Sequence, residues 1–269
     1  MELGRVLKHC VAVAIFAVTA PGAALAAAWT MPQGTGQWLA GFTAATSTEY
    51  FNGSGLALIP RYNKDEAQFW MEYGITDRFT AIVDPGLQHV DIASPIDASR
   101  TGLGYTEFGG RYEFLEADGW VLSGQATLRV PGTTNTTNPA AIGYTDVEAD
   151  FRALIGHNFR VGDWPAFFDL EIAQRERSAG LPSEFRTDAT LGVKVLPQWL
   201  LLAQSFNVVS EGAGNTLYTG GSYDYFKLQL SAVYSLTPTW ELQGGGYTAY
   251  AGRNALQENA LIFGVWHQF

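Results

Sequence analysis

Asp146-Val147-Glu148-Ala149-Asp150-Phe151-Arg152-Ala153-Leu154-Ile155 alternates polar and apolar side chains almost residue by residue. Val147, Ala149, Phe151, Ala153 and Ile155 share one face, and Asp146, Glu148, Asp150 and Arg152 share the other. A period of two belongs to a β-strand, because successive side chains point to opposite sides. The pattern recurs along the chain. Phe168, Leu170 and Ile172 oppose Asp169, Glu171 and Arg175. Phe185, Ala189, Leu191, Val193 and Val195 oppose Glu184, Arg186, Asp188 and Lys194. Phe226, Leu228, Leu230 and Ala232 oppose Lys227, Gln229 and Ser231. Alternating segments of about 10 residues separated by turns are the signature of strands that cross a membrane as a barrel.

The breaks between these segments alternate too. Tight-turn residues fall at Thr76-Asp77, Ala117-Asp118-Gly119, Gly162-Asp163, Leu196-Pro197 and Thr237-Pro238. Asp, Gly and Pro suit such turns. Longer polar links are expected at Thr48–Gly55, Ala93–Thr101, Gly132–Gly143, Ser178–Ser183, Glu211–Ser222 and Gly252–Gln257. Short connections on one side and long ones on the other match periplasmic turns and extracellular loops. Counting between the breaks predicts an all-β chain: a single antiparallel transmembrane barrel of about twelve strands.

Alternation does not by itself say which face looks inward. Aromatics crowd the strand ends: Trp38, Phe69, Trp70, Tyr73, Phe79, Tyr112, Phe114, Trp120, Phe159, Trp164, Trp199, Tyr234 and Trp240. Beside the short turns they would form an interfacial girdle. The polar faces carry charges of both signs in mid-strand, as a wet or ion-paired interior requires. The last segment, Asn259–Phe269, sets Leu261, Phe263, Val265 and Phe269 on one face and ends on an aromatic. It resembles the closing strand of outer-membrane proteins, whose terminal Phe serves the barrel-assembly machinery. The apolar face is therefore expected to meet lipid and the charged face to line a lumen.

The N-terminus supports export. Arg5 and Lys8 precede an apolar run from Val11 to Ala20, followed by Pro21-Gly22-Ala23-Ala24-Leu25-Ala26. Basic head, short apolar middle and A-x-A end make a secretory signal peptide. The run is too short for a helical span, which needs about 20 residues. Residues 1–26 are the expected leader and 27–269 the barrel domain. The one cysteine, Cys10, lies in the leader, so the exported part has no disulfide. The leader nets +1, so the whole-chain charge of −10 becomes −11 without it. An acidic balance argues against a nucleic-acid partner. The expected location is the outer membrane of a Gram-negative bacterium, with lipid and lipopolysaccharide as surroundings.

Three motifs carry a family resemblance: Ala28-Trp29-Thr30-Met31-Pro32-Gln33-Gly34-Thr35-Gly36-Gln37, Ile59-Pro60-Arg61-Tyr62-Asn63-Lys64 and Glu72-Tyr73-Gly74-Ile75-Thr76-Asp77. They resemble an outer-membrane barrel family labelled as a component of the MetA pathway of phenol degradation, loosely near FadL-type transporters. The resemblance implies uptake of small, hydrophobic or aromatic compounds and supplies no catalytic residues. Unlike FadL, the sequence shows no obvious N-terminal plug.

On the polar faces the candidate lumen and solute-path residues are Lys64, Glu66, Gln68 and Glu72, then Glu107, Arg111 and Glu113, then Asp146, Glu148, Asp150 and Arg152. Later strands add Asp169, Glu171, Arg175, Arg186, Asp188, Lys194, Lys227, Gln229, Glu241 and Gln243. Neighbouring strands bring such groups into cross-strand pairs. Two readings use the same residues: a polar, slightly cation-preferring constriction, or a structural ion-pair mesh that closes the lumen. An acyl-hydrolase would need a His base beside a Ser nucleophile. His89, His157 and His267 show no His-x-Ser arrangement, and His157 beside Asn158-Phe159 reads as interfacial. No metal site is expected without cysteine or paired histidines, and no cofactor. The Gly132–Gly143 loop, rich in Thr and Asn, is expected to be exposed, with an inward fold as the alternative.

Overall fold

A computed structural model describes residues 28–52, 55–133, 137–143, 146–178, 180–212 and 222–269. The expected leader, 1–26, lies outside the described residues. The strands are β1 Gly36–Phe51, β2 Leu56–Thr76, β3 Phe79–Ile92, β4 Ala98–Ala117, β5 Trp120–Pro131, β6 Glu148–Val161 and β7 Trp164–Arg177. They continue with β8 Glu184–Leu196, β9 Trp199–Ser210, β10 Asp224–Ser235, β11 Trp240–Arg253, the two-residue β12 Ala255–Leu256 and β13 Asn259–Gln268. Each long strand pairs antiparallel with its neighbours, and β1 pairs with both β2 and β13, so the sheet closes. Closure leaves no edge and pairs the backbone polar groups within the protein, which hydrocarbon surroundings demand.

The faces divide as the alternation predicts. Phe151, Leu170 and Leu228 point outward and are exposed, together with Leu230, Leu261 and Phe263. Asp150, Arg111, Glu148 and Asp169 point inward and are buried. An inside-out distribution of this kind is stable only if the outer belt meets acyl chains rather than water. At the short-turn end, outward-facing rings stack into clusters. Trp38 packs on Phe69, Trp240 and His267, and Trp199 on Tyr234.

Three expectations need correction. Trp70 does not belong to the girdle: it lies on the Glu72 face of β2 and lines the interior. Two of the long links shrink: the first to residues 52–55, because β1 and β2 continue as a paired hairpin, and Gly252–Gln257 is largely strand, since Gly252 and Arg253 end β11 and Ala255–Leu256 pairs with Tyr50 and Phe51 of β1. The N-terminal segment also enters the barrel, although its sequence gave no sign of a plug. Ala28 and Trp29 are buried inside the short-turn end, among Val121, Leu154, Phe167, Leu200, Leu202 and Val233. These residues occupy inward positions of β5, β6, β7, β9 and β10, where the polar face turns apolar for its last rows.

Candidate functional site

The interior has two unlike walls. Along β4 to β8 the inward positions carry charges that pair across the strands. Arg152 reaches Asp150, Glu171 and Asp188 at 2.7, 2.6 and 2.7 Å. Arg175 reaches Asp150 at 2.9 Å, and Arg177 reaches Glu148 at the same distance. Arg129 bridges Glu107 at 3.1 Å and Glu148, while Arg186 holds Glu184 at 3.0 Å. Bare buried charges would cost several kcal/mol each, so opposite signs must meet. Period-two alternation on adjacent strands brings them together.

Along β9, β10, β11, β13, β1 and β2 the inward residues are mostly neutral. Gln204, Gln229 and Gln243 face Gln68 across a cavity of about 380 Å³, and Trp70, Phe206 and Trp266 supply aromatic walls. Gln229 donates to Gln204 at 2.8 Å, and Gln243 donates to Ser231 at 2.9 Å. Gly41 and Gly264 pair directly opposite each other between Gln68 and Gln243, so β1 and β13 carry no side chains at that level. The cavity therefore lies against the neutral wall, while the charged wall fills its side of the barrel.

The N-terminal segment closes the short-turn end. Ala28 N–H donates to Asp169 Oδ2 at 2.8 Å, and Ser123 Oγ donates to the Ala28 carbonyl at 2.5 Å. Arg111 donates to the Trp29 carbonyl at 2.8 Å, to Glu72 at 2.7 Å and to Gln125. Met31 N–H donates to Thr80 Oγ1 at 2.7 Å, and Thr30 Oγ1 donates to Glu113 at 3.1 Å. The Trp29 ring meets Phe167 edge-on at 6.3 Å. It fills a slot left by Gly156, where a Cβ would overlap the indole. Two motifs singled out in the sequence meet here. Gly34 N–H donates to the Gly74 carbonyl, and Gly74 N–H to the Thr35 carbonyl, each at 2.9 Å. Gly74 has no room for a Cβ against the Met31 and Pro32 carbonyls. Asp77 accepts the Gln33 N–H at 3.0 Å.

The opposite mouth is lined by Lys64, Glu184, Tyr223, Tyr225, Lys227 and Glu258. Lys227 binds Glu258 at 2.6 Å and lies over the Tyr225 and Tyr247 rings at 5.1 and 4.7 Å. Lys64 pairs with Glu66 at 3.7 Å. The described part of the β5–β6 link, 137–143, turns inward: Ala140 and Ile142 are buried, and Ile142 packs on inward-facing Gly102.

The candidate lumen residues named from the strand alternation lie at inward positions except Asp146, which precedes β6 in the connecting link, and they do not form one site. Glu107, Glu148, Asp150, Arg152, Glu171, Arg175, Arg186 and Asp188 form the mesh. Glu72, Arg111, Glu113 and Asp169 hold the N-terminal segment. Lys64, Glu66 and Lys227 stand at the outer mouth, and Gln229 at the cavity. Glu241 accepts from Ser235 at the short-turn rim, where Lys194 also faces inward. His157 faces outward and stacks on Trp120 at 4.2 Å, away from the interior. Sequence reasoning missed Asp84, Phe206 and Trp266. Period-two counting marks all three as inward, but an aromatic at an inward position looks the same in sequence as one in a girdle.

A closed barrel of twelve long strands with its greasy face outward has the architecture of an outer-membrane β-barrel. Solved structures share it at low identity. The COG4313 outer membrane channel from Pseudomonas putida F1 matches with TM-score 0.71 and 14% identity, over 90% of this chain and 98% of that one. The beta domain of the Bordetella autotransporter BrkA matches with TM-score 0.56 and 15% identity, over 87% and 99%. The NanC porin matches with TM-score 0.51 and 10% identity, over 85% and 98%. These likenesses concern the fold. No protein-family model matches the chain and no curated protein does, so the phenol-degradation resemblance stands as an expectation from its motifs.

Proposed function

We propose that this chain is an outer-membrane channel for small solutes, occluded on its periplasmic side by its own N-terminal segment. The observation that carries the reading is the cavity of about 380 Å³ between that segment and the outer mouth. A barrel with a purely structural interior has no reason to keep one wall neutral and hollow while ion pairs fill the other. Three aromatic side chains on the hollow wall favour solutes with an apolar or aromatic part. The likeness to the COG4313 channel and the NanC porin supports the same reading. Under it, lipid and lipopolysaccharide cover the exposed belt, and Phe269 supplies the assembly signal.

The charged mesh favours a second reading, a structural barrel with a sealed interior. Liposome swelling and planar-bilayer recordings with purified, folded protein separate the two. A channel gives discrete conductance and solute-dependent swelling. A bilayer that stays sealed, with the N-terminal segment released as well as docked, leaves only the structural barrel.

A further inference from the structure

Asp84 stands out within the cavity. It faces inward on β3 and lines the same space as Trp70, Phe206 and Trp266. Its direct cross-strand partner on β4 is another carboxylate, Glu107. Like charges placed opposite each other on one face destabilise a sheet. Glu107 is relieved by Arg129 at 3.1 Å and by the Thr127 hydroxyl at 2.7 Å. Asp84 has no such relief. One of its oxygens receives a long 3.4 Å contact from Gln68, and the other is buried with no hydrogen-bond partner among the described residues. The other acid on the cavity, Glu72, is already neutralised by Arg111 at 2.7 Å. Among the described residues the cavity thus presents one carboxyl group without an ion-pair partner, neutral amides and three inward-facing aromatic side chains, with Arg111 already committed to Glu72.

That set of groups has a chemical complement. A buried carboxylate without a partner costs free energy until a positive charge or a donor arrives. Aromatic faces attract a cation held against them, and most strongly where water is excluded. An anionic solute would meet Asp84 as repulsion, and a neutral one offers it at most a hydrogen bond, without the charge that a cation brings. From the Asp84 carboxylate and the Trp70, Phe206 and Trp266 rings around one cavity, we infer that the mid-lumen site binds small organic ammonium compounds, with Asp84 as the counter-charge. The site selects for an ammonium group attached to an apolar or aromatic body. This rests on the channel reading for its place in transport, but binding itself requires no permeation.

The test uses three probes of similar size: benzyltrimethylammonium, benzyl alcohol and benzoate. Each is titrated calorimetrically into the folded protein in detergent micelles, with wild type and Asp84→Asn side by side. Partitioning into micelles is common to both proteins, so the difference between them reads the site. The ammonium is expected to bind about tenfold or more tightly than the alcohol, the order a desolvated cation–π contact with a counter-charge gives, and benzoate least. Asp84→Asn should remove the ammonium preference and change alcohol affinity far less, because the Asn carbonyl still accepts a hydroxyl hydrogen bond but carries no counter-charge. Equal affinities, no ammonium binding, or an Asp84→Asn protein with the preference intact overturns the inference. Titrating each probe into protein-free micelles as a blank lets the three-probe ranking on wild type decide the matter even if the variant fails to fold. Swelling assays read the channel separately: permeation without ammonium preference removes this inference alone, and ammonium binding in a sealed barrel removes only the channel.

Discussion

Trp29→Ala tests whether the N-terminal segment occludes the barrel. The Trp29 indole is buried against Phe167, Val121 and Leu154 and is the largest side chain anchoring the segment. Truncating a buried Trp to Ala costs about 3–5 kcal/mol. At about 1.4 kcal/mol per decade, the docked-to-released ratio falls by roughly two to three and a half decades. The remaining tethers, from Ala28 to Asp169 and Ser123, from the Trp29 carbonyl to Arg111 and from Met31 to Thr80, are hydrogen bonds. Neutral ones are worth about 0.5–1.5 kcal/mol each net and those to the charged Asp169 and Arg111 about 1.5–3, so the indole remains the largest single anchor. Single-channel recording in planar bilayers should show Trp29→Ala spending far more time in a high-conductance state. Gly156→Ala should act in the same direction, because its methyl group takes the space of the indole. Protease cleavage near Trp29, with the barrel intact, reports release independently. A released segment with wild-type conductance refutes the occlusion argument, and a segment still protected in Trp29→Ala refutes the anchoring argument.

Two further changes probe the frame. Arg111 is 1% exposed and joins Glu72, Gln125 and the Trp29 carbonyl. Arg111→Met leaves Glu72 buried without its cation, and a loss of about 3–5 kcal/mol of folding stability is expected in denaturant titration in vesicles. A change under about 1 kcal/mol would mean that Glu72 finds another partner. Leu230 is 59% exposed in the middle of β10. Leu230→Arg should cost about 2–4 kcal/mol in the same assay if that face meets hydrocarbon. An unchanged stability would place the face in water.

The sequence by itself determined the strands and their two faces. Side-chain alternation is a local property, and it marked Phe151 and Leu228 for one environment and Asp150 and Arg152 for the other before any pairing was known. The turn chemistry at Gly162-Asp163 and Leu196-Pro197 marked one rim just as locally. Only the tertiary structure decided what the inward residues do, because that depends on which strands are neighbours around the ring and at what height. Arg111 and Glu148 look alike in sequence as charges in mid-strand. Closure places one beneath the Trp29 carbonyl and the other in an ion-pair mesh. Tertiary structure also settled the Ala28–Gln37 and Glu72–Asp77 motifs. The sequence showed them as separate signatures, while the fold joins them through Gly34, Thr35 and Gly74 into the seat of a plug. The physical reason is the same throughout. Period and turn propensity act between adjacent residues, whereas a cavity is set by side chains from strands far apart in the chain that meet only when the sheet closes.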